Sequence, residues 1–377
     1  MLLKNLFRSR AAYIFLFCCC MVFSLECLGA VVHTLPVEPA SHPFIEQISI
    51  DLDPFKNTGF AASAVSDTMN AIPEGQMCAI YRIDDRGARI LATKNQRTDN
   101  HPVTSLMLHG FQEFVVFCTK NSLRIPKVEF AVYLDDWTTS DTPFPAPLFA
   151  FAKDNTQGEG LVLLPDFEML SGYETTARQT QKACKHYPWK CKKEKVIWRG
   201  TTTGSPHNGL YTPENFRDFP RTQLVEISLA NPTVVDARFT KLCQGAELFA
   251  ARLAPYCGNF LSIPDHIRYK YQILVDGNTC AFSRCYWQLL SNCLMLKQES
   301  PHIQWYYRGL QPYVHYVPVH GDLSDLLKQV SWARSHDKKA RRISKKATAF
   351  AEKHLTKEAA FTYMHRLFTE YEKLMVQ

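Results

Sequence analysis

An α/β architecture built on a parallel sheet is the fold class predicted for this chain, on two patterns in its second half. From Lys195 onward, short apolar runs of strand character alternate with helical spacing at Arg221–Ala230, Leu242–Leu253, Phe282–Leu290, Leu323–His336 and Lys339–Leu355. Such alternation argues for parallel strands covered by helices on both faces, with ligands gathered at the carboxyl ends of the strands. The second pattern is local. Two apolar runs each lead straight into a small, glycine-containing turn, at Arg199-Gly200-Thr201 and at Asp276-Gly277-Asn278.

The first half reads differently. Met77–Asp84 and Ala88–Lys94 look like strands joined by a turn at Asp85-Arg86-Gly87. Strand-like Glu113–Cys118, Val128–Leu134, Leu148–Ala152 and Leu161–Leu164 follow, and helical patterns are few before Glu174. The Lys- and Cys-rich stretch Lys182–Lys195 is the expected boundary between a domain over 34–190 and another over 195–355. A chain of 377 residues, 46% hydrophobic and 21% charged, is long enough for two domains of ordinary size.

The formal charge of +7 suits an anionic partner, which by itself includes nucleic acid, a membrane surface, an acidic glycan or a nucleotide diphosphate. The densest basic run, Lys338 to Lys346, has Ala340, Ile343, Ala347, Phe350 and Ala351 at helical spacing. It reads as the solvated face of a packed helix, so nucleic acid is not the expected partner.

Lys4, Arg8 and Arg10 precede an apolar run from Ala11 to Leu25, the length of a signal-peptide core, with Leu28-Gly29-Ala30 suited to cleavage. Residues 1–30 therefore read as a secretory signal, and a short signal-anchor associated with a membrane is the alternative. Either places the body of the protein in a secretory lumen or a bacterial periplasm or envelope.

Of 13 cysteines, Cys18, Cys19, Cys20 and Cys27 belong to that leader. Cys184 with Cys191, and Cys257 with Cys280 or Cys285, are candidate disulfides. No Cys-x2-Cys or His-Glu-x-x-His occurs, and no metal site is expected.

The two glycine turns carry the chemistry. In Trp198-Arg199-Gly200-Thr201-Thr202-Thr203-Gly204, backbone N–H groups can approach an anion because bulky side chains are absent, and the arginine adds two parallel charged donors. In Tyr269–Arg284 the order is strand, turn, helix, with Ser283 and Arg284 in or just before the first helical turn. A helix N-terminus presents unpaired N–H groups and a positive dipole end, so an arginine there calls for a compensating anion.

Together with Lys297-Gln298-Glu299-Ser300, Pro312–Pro318 and Asp322–Leu326, these segments resemble glycosyltransferase family 90, in matching order from roughly Val128 to Leu355. The resemblance implies a GT-B arrangement, two Rossmann-like domains facing a cleft, with a last helix over 356–377 returning to the first domain. It also implies that Arg199 and Arg284 hold the diphosphate of a UDP-sugar. Gly200, Thr201, Asp276, Gly277 and Ser283 would complete that site. No cofactor beyond the donor substrate, and no metal, is expected.

Asp135-Asp136, before Trp137, stands where the family places its catalytic aspartate, and Asp136 is preferred. Thr138 departs from the proline of the glucosyltransferase form. Sugar transfer to an alcohol needs a base, because a hydroxyl is a poor nucleophile until its proton is taken. The expected reaction is an inverting, metal-independent transfer of glucose or xylose to a glycan, a lipopolysaccharide or a protein serine. The alternative is a non-catalytic secreted protein binding glycans or polyanions on the same fold. Asp166 is the next candidate base, equally readable as a turn former. His315 reads as architectural and Asp325 as a helix-start residue, while Asp236 has no assigned role.

Overall fold

A computed structural model describes residues 43–136, 143–156, 160–204 and 209–376. The leader with its four cysteines, and Trp137 and Thr138, lie outside the described residues.

Two five-stranded sheets organise the body of the chain. The strands of the first are β1 (Cys78–Asp84), β2 (Gly87–Thr93), β3 (Val128–Tyr133), β4 (Leu148–Ala150) and β5 (Leu161–Leu163), in the order β2-β1-β3-β4-β5. This sheet is mixed: β1 is antiparallel to both β2 and β3, whereas β3, β4 and β5 are parallel.

The second sheet contains β6 (Lys193–Thr201), β7 (Val235–Lys241), β8 (Tyr269–Leu274), β9 (Leu294–Gln298) and β10 (Val317–Val319). Its order is β10-β9-β8-β6-β7, and every pair is parallel. Tyr271 of β8 lies opposite both Val196 of β6 and Leu294 of β9, and Val196 opposite Val235. All five residues of β9 are buried, the continuous burial expected where helices cover both faces.

Helices in chain order are α1 (Pro43–Leu52), α2 (Ser63–Ala71), α3 (Pro102–Lys120), α4 (Phe167–Ser171) and α5 (Tyr173–His186). They are followed by α6 (Pro220–Ala230), α7 (Ser283–Leu290), α8 (Leu326–Ser335), α9 (Asp337–His354) and α10 (Lys357–Leu374), with shorter turns between. The strand expected at Glu113–Cys118 is the end of α3. The five residues Phe114–Cys118 satisfy either pattern, and the longer window decides: Val103, Met107, Phe111, Phe114 and Cys118 are buried at helical spacing. The helix begins where His101 accepts from Val103 N and Pro102 occupies the first turn. With α1 and α2 also preceding Glu174, the first half is richer in helix than expected. Leu242–Leu253 forms only a 3-10 turn at Ala246–Phe249 and one α-turn at Ala250–Leu253, after Gly245 takes a left-handed φ of 92°.

Two apolar cores follow the sheets. Helix α9 serves both, with Ala340 and Ile343 in the second core and Ala347, Phe350 and Ala351 in the first. Its lysines and arginines at 338, 339, 341, 342, 345 and 346 are exposed, so the basic run is a solvated helix face. Phe368 of α10 packs on Phe130 at 4.7 Å and Phe149 at 5.6 Å between ring centroids, which lays this last helix on the first sheet. None of the candidate disulfides forms: Cys184, Cys191, Cys257, Cys280 and Cys285 are all free. Cys280 and Cys285 are buried, whereas Cys257 is exposed.

Candidate functional site

In the second sheet the chain steps from β6 outward to β7, then returns past β6 to β8 and continues the other way. The crevice at the carboxyl ends of β6 and β8 is thus the topological switch point, where open α/β sheets bind ligands. Arg199, Gly200 and Thr201 end β6, and the Asp276-Gly277 turn follows β8. The structure therefore brings the two sequence-distant turns together at one crevice.

The two arginines are not equivalent. Arg199 is committed: it pairs with Asp236 at 2.9 Å and donates to the carbonyls of Trp198, Asp236 and Asn259. That pairing gives Asp236 a role that its sequence did not reveal. Arg284 donates from Nη2 to the carbonyl of Arg199, while its Nη1 is buried with no hydrogen-bond partner. Burial, and secondarily the charge of Arg221, pushes its pKa down to about 10. Among the described residues this buried guanidinium has no carboxylate partner, so the protein leaves its charge uncompensated.

Arg221 is the functional side chain that sequence reasoning missed. It is buried, donates from Nε to the carbonyl of Asp276 at 2.8 Å and from Nη1 to the Thr201 carbonyl at 3.1 Å, and also reaches Thr203 Oγ1. It thus ties both glycine turns together, and burial lowers its pKa. The signal was present: Arg221 stands in the first turn of α6 after Pro220, and the argument made for an arginine at a helix N-terminus applies to it equally.

Gly277 explains itself through this arginine. A Cβ there would lie 2.8 Å from Arg221 Nη2 and 3.0 Å from Thr203 Oγ1, so only glycine lets the turn rest on the guanidinium. At Gly200 a Cβ would meet the Trp198 ring at 2.4 Å. The Asp276 carboxylate accepts from Ser300 and His302, leaving its backbone carbonyl to hold Arg221. Ser283 opens α7, and its N–H donates to Glu168 Oε2 at 3.3 Å.

Arg199, Gly200, Thr201, Arg221, Gly277, Ser283 and Arg284 line a cavity of about 450 Å³, together with Asp136, Glu168, Thr203, Asn278, Phe260 and Trp287, whereas Asp276 is not part of its lining. A second cavity of about 430 Å³, lined by Gln76, Arg97, His101, Tyr133, Asp135 and Phe167, shares Asp136 and Asn278 with the first. The paired aspartates differ in the same way as the arginines. Asp135 pairs with Arg97 at 2.7 Å and accepts from Met77 N at 2.6 Å, which engages both of its oxygens. Asp136 accepts from Asn278 Nδ2 at 2.9 Å and stands between the cavities. Desolvation, with the Asp135 charge adding to it, raises its pKa above the ordinary carboxylate value.

The remaining candidates are structural. Asp166 is buried, caps α4 by accepting from Met169 N, and accepts from the Tyr286 hydroxyl at 2.6 Å. His315 accepts from Gln311 N and packs on Phe350. Asp325 precedes α8 and accepts from His320 N and Gln329 Nε2. No helix among the described residues is long and apolar enough to cross a membrane.

An α/β protein with an arginine-lined crevice at its switch point is the class that fold and site define. The model of glycosyl transferase family 90 matches residues 39–377, and the chain belongs to that family. It is 29% identical over 277 residues to Protein O-glucosyltransferase 2 of Danio rerio, covering 71% of this chain and 51% of that one. It is 28% identical over 282 residues to Protein O-glucosyltransferase 1 of Rattus norvegicus, covering 71% and 67%. The chain thus spans about half the length of the zebrafish relative. Among solved structures, the crystal structure of Anabaena Alr3699/HepE in complex with UDP and glucose is similar at 12% identity and a TM-score of 0.38. That similarity covers 59% of this chain and 62% of that one, and at this score carries no argument about ligand or domain arrangement.

Proposed function

We propose that this protein transfers a sugar, glucose before xylose, from its UDP conjugate to a hydroxyl group, inverting the anomeric centre. The observation that carries the proposal is the unpartnered, buried Nη1 of Arg284, in a cavity that Arg221 also lines and that adjoins a second one at Asp136. The diphosphate would lie against Arg284, the Ser283 hydroxyl and the Gly200 and Gly277 turns, and the arginines would neutralise charge as it develops on the leaving group. Neutralisation by arginine supports metal independence. Phe260, 78% exposed at the cavity rim, offers a face on which the base can stack.

Asp136 would take the acceptor's proton, with the acceptor in the second cavity. Its raised pKa suits the role, and Asp135 serves to position it. Asp136, placed where the two cavities meet, supports base-assisted direct displacement, hence inversion. The two sheets with their two cores support a GT-B reading. The names of the relatives support glucose as the sugar and a protein hydroxyl as acceptor, ahead of a glycan or lipopolysaccharide.

Incubation with UDP-glucose, UDP-xylose and other UDP-sugars, with and without EDTA, tests this. Hydrolysis or transfer of at least one that persists in EDTA is expected. Failure of UDP to bind at all would overturn the reading, and binding without turnover would point to the non-catalytic alternative.

A further inference from the structure

One carboxylate in the donor cavity has no part in holding phosphate. Glu168, in the first turn of α4, reaches across to accept the N–H of Ser283 at 3.3 Å and makes no ion pair among the described residues. It shares a cavity with three arginines yet pairs with none. Arg199 is taken by Asp236, and Arg284 keeps an unfilled donor. A carboxylate left unpaired beside arginines weakens phosphate binding through its charge, so its presence calls for another reason. Asp136 defines the acceptor end of the cavity and Arg284 the phosphate end, and the sugar of any bound donor must lie between them. Glu168 lines this same cavity, with Ser283, the neighbour of Arg284, hydrogen-bonded to its carboxylate. A sugar presents hydroxyl donors, and an ionised carboxylate is an acceptor only.

We propose that Glu168 reads the sugar of the donor, accepting hydrogen bonds from its hydroxyls and repelling any sugar that carries a carboxylate. The substrate class is then the neutral UDP-hexoses and UDP-pentoses, with UDP-uronic acids rejected. This rests on the reading of the first cavity as a UDP-sugar site. Attraction and rejection come from the same charge, the arrangement by which sites discriminate between otherwise similar ligands.

Calorimetric affinities for UDP, UDP-glucose and UDP-glucuronate, in wild type, Glu168→Gln and Glu168→Ala, test it. In wild type UDP-glucose should bind about tenfold or more tighter than UDP-glucuronate, a charge-assisted hydrogen bond being lost and a repulsion gained. Glu168→Gln should shift that ratio by about tenfold toward UDP-glucuronate, because the repulsion vanishes while a carbonyl acceptor remains. Glu168→Ala should weaken UDP-glucose with UDP affinity held or improved. An unchanged ratio in both variants, with UDP binding intact, overturns the proposal. So do parallel changes in UDP and UDP-glucose affinity, which would mark Glu168 as a structural tie to α7. Failure of wild type to bind UDP would instead overturn the donor-site reading.

Discussion

The guanidinium of Arg284 donates to the backbone carbonyl of Arg199 at 2.6 Å, so the arginine after one glycine turn is oriented by the backbone of the other. This contact fixes one nitrogen and leaves Nη1 buried and unpaired. Arg284→Ala and Arg284→Lys should both weaken UDP affinity by about tenfold or more, since lysine offers neither the fork nor the contact to Arg199. Calorimetry on folded variants checks this, and unchanged affinity in both would remove Arg284 from the donor site.

Arg221→Lys should cost both stability and affinity. A lysine has one nitrogen where the guanidinium uses two, Nε for the Asp276 carbonyl and Nη1 for that of Thr201, and a buried acceptor left unsatisfied costs about 1–3 kcal/mol. Denaturant unfolding should register that loss, and UDP titration a weaker site, because the two turns lose their common tie. Retained stability with retained affinity would contradict the bridging role.

How far these residues were legible depended on whether their signal was local. Arg199-Gly200-Thr201 and Asp276-Gly277 could be read because a strand running into a glycine turn is written in adjacent residues. Which arginine is free could not be read. That depends on Asp236, 37 residues from Arg199 and brought beside it by the pairing of β6 with β7. Arg221 carried a local signal in the first turn of α6, but its bridging role was not legible, as its partners lie on two other turns. Among the elements, Glu113–Cys118 misled because a short apolar run such as Phe114–Cys118 fits a strand and a buried helix alike. The parallel second sheet was legible, since its strands and helices alternate in simple succession.

Asp166 should leave a mark on pH-dependent stability. Burial foremost, with the charge of Glu168, pushes its pKa up to about 7, while in the unfolded chain a carboxyl titrates near roughly 4. The folded state therefore holds a proton that the unfolded state releases. Stability from this group is present below roughly pH 4 and is lost as pH rises through about 7. Asp166→Asn should flatten the fall in Tm between about pH 5 and pH 8, measured by thermal unfolding against wild type. An unaltered slope would show that Asp166 titrates as an ordinary carboxylate.

The sharpest separation is between the paired aspartates. Asp136→Asn keeps an oxygen to accept from Asn278 Nδ2, so fold and UDP affinity should persist while transfer falls by the roughly 10²–10⁴-fold that a positioned base contributes. Because its pKa is raised in the folded state, ionised Asp136 costs stability at neutral pH, and stability from this group grows as pH falls through that pKa. The asparagine variant should therefore be at least as stable as wild type at neutral pH. Wild-type transfer should itself fall on acidification, with a midpoint above the ordinary carboxylate range. Asp135→Asn should behave in the opposite way, because its carboxylate binds Arg97 and Met77 N. It should lower Tm while reducing transfer less than Asp136→Asn does. Parallel assays of Tm and transfer decide the matter: if Asp135→Asn abolishes transfer and Asp136→Asn does not, the base is Asp135, and if neither matters it lies on another residue.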